Sequence, residues 1–129
     1  MGETLQKCIL IVDDEESVRM VCSRMLSRLG YTVEIAATAT EAMIWVKKRS
    51  FDLVITDYRM PGDMNGITLG QAIRQYAPQT LLILMTAFPA VDMAVDTIRM
   101  GAHDYLIKPF DQAELMRRVN ACFDKPAAA

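Results

Sequence analysis

Histidine is almost missing from this chain: His103 is the single one in 129 residues. With no second imidazole an imidazole-rich metal centre is excluded, and no Ser–His or Cys–His pattern marks a covalent nucleophile. His103 itself reads as a surface loop residue. Cysteine is scarce too. Cys8, Cys22 and Cys122 are odd in number and share no C-x-x-C spacing, which excludes a disulfide framework and predicts free, buried thiols in a reducing compartment. None of the six glycines belongs to a G-x-x-x-x-G-K-[ST] loop, so no nucleotide phosphate is cradled that way. Neither charge predominates. The 14 basic and 16 acidic residues leave a net charge of -2, and no Lys/Arg stripe offers a nucleic-acid surface. The apolar runs are too short to cross a bilayer, and Met1 to Lys7 lacks the layout of a signal peptide. A single soluble, cytoplasmic domain is expected, with no membrane or nucleic-acid partner. Residues 8–123 would form its body, 1–7 an N-terminal extension and 124–129 a tail or linker stub.

What the chain does have is alternation. Short apolar runs (Cys8–Val12, Tyr31–Ala36, Leu53–Thr56, Leu81–Met85 and Asp104–Ile107) are each followed by a helical pattern. Val18, Val21, Cys22, Met25, Leu26 and Leu29 recur at helical spacing before Gly30, a C-cap signal. Thr38 with Glu41 forms a capping box ahead of Ala42, Met43 and Val46. A third helix follows Gly66 and ends near Pro78, a fourth covers Val91 to Met100, and Asp111 with Glu114 caps a fifth that buries Leu115 and Val119. Strands that alternate with helices, without hairpin turns between them, predict a parallel sheet covered on both faces. The expected fold class is α/β, a flavodoxin-like (βα)5 three-layer sandwich with strand order 2-1-3-4-5. That order is taken from known doubly wound sheets rather than derived from spacing.

Such sheets bind ligands beyond the carboxyl ends of their strands. Strand 1 ends at Asp13 and Asp14, strand 3 at Asp57, strand 4 at Thr86 and strand 5 at Lys108. Converging carboxylates repel one another, so a cation among them is the better reading, and oxygen ligands with room for water and phosphate suit Mg²⁺. Lys108 adds a positive charge and Thr86 a hydroxyl, which a transferred phosphoryl group would need. The residues thus spell a phosphoryl-transfer site in which a carboxylate, Asp57, is the acceptor.

The stretches "ILIVDDEESV", "DLVITDYRMP..NG", "ILMTA" and "GAHDYLIKPF" resemble the receiver domains of two-component response regulators over residues 8 to about 123. The resemblance implies that Asp57 is phosphorylated by a phosphohistidine on a sensor histidine kinase or histidine phosphotransfer protein. Asp13, Asp14, Asp57 and the backbone carbonyl of Arg59 would hold Mg²⁺, and Lys108 would pair with the phosphate. It further implies that Thr86 swings to the phosphate and Tyr105 turns inward behind it. The face made by the fourth helix, fifth strand and fifth helix would then change shape, controlling an output domain, a target protein or a homodimer. Chemistry would be confined to the chain's own phosphorylation and slow autodephosphorylation, with Arg59 and Phe88 screening the attacking water.

The run "YRMPGDMNG" is one residue longer than the usual pattern, and the extra residue is expected to bulge away from the site. Ten methionines are many for this length. Met20, on the outer face of the first helix, and Phe110 are therefore candidates for contact with the kinase. The competing reading is a Mg²⁺-dependent aspartyl-phosphate phosphatase or phosphotransferase. It calls for a second acid two residues after the nucleophile, and here Tyr58 and Arg59 follow Asp57.

Overall fold

In a computed structural model, residues 6–59, 65–87 and 101–124 are described. Five strands, β1 (Cys8–Val12), β2 (Thr32–Ala36), β3 (Leu53–Asp57), β4 (Leu81–Thr86) and β5 (Asp104–Ile107), form one parallel sheet of order β2-β1-β3-β4-β5. This is the flavodoxin-like sheet expected, its parallel layering from the alternation and its order from known doubly wound sheets. Four helices are described: α1 (Glu16–Arg28), α2 (Ala39–Lys48), α3 (Gly66–Tyr76) and a last helix, Gln112–Asp124. The helix expected over 91–100 lies outside the described residues, as do Phe88 and the bulge expected within 60–64.

The central strands explain why the apolar runs are continuous. Every residue of β3 is buried, and four of five in β1, because helices cover both faces. Alternate side chains then feed two separate cores. Leu10, Val12, Val54, Leu82 and Leu84 meet the buried faces of α2 and α3. Ile9, Ile11, Ile55, Ile83 and Met85 meet Cys22 and Leu26 of α1 and Leu115, Val119 and Cys122 of the last helix.

Local signals set the helix ends. Gly30, at φ 96°, closes α1: its N–H donates to Ser27 and that of Tyr31 to Leu26, the two reciprocal bonds of a Schellman ending. Thr38 Oγ1 accepts from the Glu41 N–H while Glu41 reaches back to the Ala37 N–H. Asp111 Oδ1 accepts from the Glu114 N–H. The helical stripe of α1 is narrower than the sequence suggests, since Val21 and Leu29 are exposed. Cys22 and Leu26 turn into the core shared with β1 and the last helix, with Val18 and Met25 partly buried against it. His103 is no free loop residue either: half-buried, it donates its N–H to the Leu82 carbonyl and accepts the Leu82 N–H on Nδ1. It thereby continues the β4–β5 pairing one residue past the strand.

Candidate functional site

Register makes the carboxyl ends of the inner strands level. Val12 pairs with Thr56, Asp57 with Met85, and Thr86 with Ile107, so Asp13, Asp57, Thr86 and Lys108 gather at one edge of the sheet. Carboxylate oxygens of Asp13, Asp14 and Asp57 lie within 4.8 Å of one another. Asp13 is fully buried, Asp57 nearly so and Asp14 exposed.

Asp13 and Asp57 are held for identifiable reasons. Asp13 Oδ1 accepts the Glu15 N–H at 2.9 Å, turning the chain into α1, and the Arg19 guanidinium donates to the Asp13 carbonyl at 2.8 Å. Lys108 Nζ lies 2.6 Å from Asp13 Oδ2, 3.3 Å from Asp57 Oδ1 and 3.8 Å from Glu15 Oε1. Its backbone is anchored where its N–H donates to the Thr86 carbonyl at 2.7 Å. On the opposite flank the Asp57 carbonyl accepts the buried Thr56 hydroxyl at 3.1 Å. Asn65 caps α3 by accepting the Thr68 N–H, and the Gly66 N–H donates to the Tyr58 carbonyl.

One ammonium against three carboxylates leaves the cluster net negative, and its titration follows. Burial first, and then the Asp13 charge, push the Asp57 carboxyl up to about 6, against the pull of Lys108. Burial works against the Lys108 ammonium, but its hydrogen bond to Asp13 and the charges of Asp57 and Asp13 outweigh that and raise it. Lys108 therefore stays charged at neutral pH. Behind the cluster, burial and the Asp13 charge push the Cys22 thiol up to about 11. An all-oxygen donor set of partly buried carboxylates with surplus negative charge fits a hard divalent cation. The same edge fits a tetrahedral phosphoryl group facing an ammonium.

The sequence-predicted residues thus fall into two sets. Asp13, Asp14, Asp57 and Lys108 are brought together, and Thr86, buried, ends the neighbouring strand. Arg59 is exposed two residues past Asp57. Tyr105, 40% exposed, points outward from β5 and is not part of the cluster. Met20 is exposed on α1, and Phe110 is half-buried against the core. Phe110 borders a cleft of about 240 Å³ beside Lys108, walled by Ser17, Val18, Val21, Cys22 and Pro109 but not by Met20. Sequence reading overlooked Glu15, Arg19 and Gly66. Glu15 is a third acid in "DDE" and Gly66 closes the quoted "..NG", so both left a signal to follow; Arg19 left none.

The family model of the response regulator receiver domain matches residues 9–120. The chain belongs to the response regulator receiver domain family. This receiver domain is 40% identical over 103 residues to the transcriptional regulatory protein ZraR of Salmonella typhimurium, a stretch covering 80% of this chain and 23% of that protein. It thus spans about a quarter of the length of the curated relatives it matches. Among solved structures, the response regulator TrrA of Thermotoga maritima in complex with Mg²⁺ and BeF superposes with a TM-score of 0.81 at 31% identity, covering 90% of this chain and 98% of that one. The beryllofluoride-activated NtrC4 receiver domain dimer superposes with a TM-score of 0.85 at 33% identity, covering 92% and 98%. As a receiver domain the chain is a signalling module of two-component systems. Among its described residues no helix is long and apolar enough to cross a membrane.

Proposed function

We propose that Asp57 is the phosphoacceptor of this receiver domain and that phosphorylation requires Mg²⁺. The observation that carries this reading is the convergence of Asp13, Asp14 and Asp57 oxygens within 4.8 Å, with Lys108 hydrogen-bonded between Asp13 and Asp57. Asp13, Asp14, Asp57 and the backbone carbonyl of Arg59 would hold the ion, which supplies neutralisation of phosphoryl oxygens when bound. TrrA, whose structure holds Mg²⁺ and a beryllofluoride group, supports the same use here.

The chain's own groups do the rest. An Asp57 oxygen attacks the phosphorus of a phosphohistidine on a sensor histidine kinase or histidine phosphotransfer protein. The phosphorus–nitrogen bond breaks, and the imidazole leaves with the bonding electron pair. Lys108, already charged and within reach of Asp57, exchanges a carboxylate partner for a phosphoryl oxygen. The Thr86 hydroxyl donates to another, and Tyr105, exposed on β5, turns inward behind it. The surface of β5 and the last helix then carries the signal in the cytoplasm to an output domain, a target protein or a second copy. The NtrC4 dimer supports the last of these. Phe110, in the cleft beside Lys108, and Met20 on the outer face of α1 are proposed as contacts for the kinase.

Incubation with acetyl phosphate and Mg²⁺, followed by intact-mass measurement, tests the proposal. One phosphate per chain is expected on the parent, none on Asp57→Asn, and none on the parent after chelation of the metal. Equal labelling of Asp57→Asn would overturn it. Turnover of many equivalents of unrelated phosphate esters would favour the phosphatase reading.

A further inference from the structure

Gly66 is the first residue of α3 and stands against the backbone of the acceptor strand. A Cβ built on it would lie 2.1 Å from the Asp57 carbonyl oxygen, 3.0 Å from the Asp57 carbonyl carbon and 3.1 Å from Tyr58 Cα. All three atoms are backbone, so no side-chain rotation could relieve the contact. The same turn is fastened to the acceptor segment, since the Gly66 N–H donates to the Tyr58 carbonyl at 3.1 Å. It is also rigid. Asn65 caps it, and Leu69 and Ile73 anchor its helix in the core.

The Asp57 carbonyl is therefore enclosed, with the Thr56 hydroxyl bonded to it and the bare Cα of Gly66 beside it. The positive φ that usually explains a glycine is not the reason here; the reason is close approach of two backbones. Of Gly30, Gly66 and Gly101, Gly66 is the one where an added Cβ would meet backbone inside 3 Å.

We propose that Gly66 is a positioning residue for phosphorylation: by lacking a side chain it lets the first turn of α3 rest on the Asp57 carbonyl and fixes the Asp57–Arg59 backbone against Asp13 and Asp14. Any side chain must push apart either α3 or the peptide after Asp57. The helix is held by the core and the strand by the sheet. The displacement therefore falls on the junction, the segment proposed to present the acceptor carboxylate and the Arg59 carbonyl. This inference rests on the proposed role of Asp57 and of Mg²⁺.

The experiment compares the full chain with Gly66→Ala and with Gly30→Ala, which strains the left-handed ending of α1 at the other end of the fold. For each, thermal stability, Mg²⁺ affinity by calorimetry, and the rate of phosphorylation by acetyl phosphate across a Mg²⁺ series are measured. Gly66→Ala is expected to weaken Mg²⁺ binding about tenfold, the scale seen when a residue orienting metal ligands is removed. Its phosphorylation rate should be recovered in part by raising Mg²⁺. Gly30→Ala should lose stability while keeping the parent's affinity and rate. A folded Gly66→Ala with parental affinity and rate would overturn the inference. So would a Gly30→Ala with the same affinity loss, since the effect would then be general destabilisation. If the parent itself took up neither Mg²⁺ nor phosphate, the proposed role of Asp57 would fail instead.

Discussion

Asp57 shows how one residue joins fold to chemistry. Buried at the end of the central strand beside Asp13, its carboxyl rises from 3.8 to about 6. Between those values the folded protein keeps a proton that the unfolded chain has released. Stability of the metal-free protein should therefore fall as pH rises from about 4 to about 6, and the penalty stands in full above that. Asp57→Asn removes the charge. It should raise the melting temperature at pH 7.5 by about 3–6 °C, the shift that roughly 1 kcal/mol makes in a domain of this size after allowance for solvent screening. The gain should vanish near pH 4. Melting curves over that range, without and with Mg²⁺, check both parts, because the ion should stabilise the parent more than the variant at pH 7.5. A pH-independent gain would point to packing instead. Asp13 and Asp57 were legible in the sequence because each directly follows a strand-like run, whereas Gly66 showed only as the end of the "..NG" motif and the start of a helix, its contact unseen. Its importance lies in a carbonyl nine residues away, which no spacing rule reaches.

At the scale of elements, α1 marks where pattern reading stops. Six apolar positions at helical spacing predict a broad buried stripe, yet Cys22 and Leu26 are buried while Val21 and Leu29 are exposed. Periodicity gives the side of a helix that is apolar, but the neighbouring elements decide how wide a strip they cover. The consequence is measurable. Leu26→Ala should cost about 2–5 kcal/mol by urea unfolding, whereas Leu29→Ala should stay within about 0.5 kcal/mol. Strand β2 makes a related point. It is an edge strand, and the Trp45 indole N–H donates to its Ile35 carbonyl while Arg49 pairs with Glu34. The Trp45 side chain thus satisfies a carbonyl on the open side of the sheet. The link between His103 and Leu82 escaped sequence reading for the same reason as the Gly66 contact. Both join segments that only the folded sheet brings together.

For the whole molecule, the sheet separates two cores that share no buried residue, and Asp13, Asp57 and Lys108 gather at one edge of that sheet. Strand alternation revealed this layering, and the strand-end acids revealed which edge carries the carboxylate cluster. The three cysteines, none of them in a disulfide, are divided by the same partition: Cys8 packs toward the α2 and α3 side, while Cys22 and Cys122 are buried on the other. With its proton held up to about pH 11, Cys22 is shielded from alkylation twice over, by packing and by chemistry. A maleimide pulse should therefore mark Cys8 in the native protein and reach Cys22 and Cys122 only when their layer parts. The chain carries its own stopwatch: simultaneous capture of the two sulfurs would mean that the layer comes away as one piece, and staggered capture that its helices peel off singly.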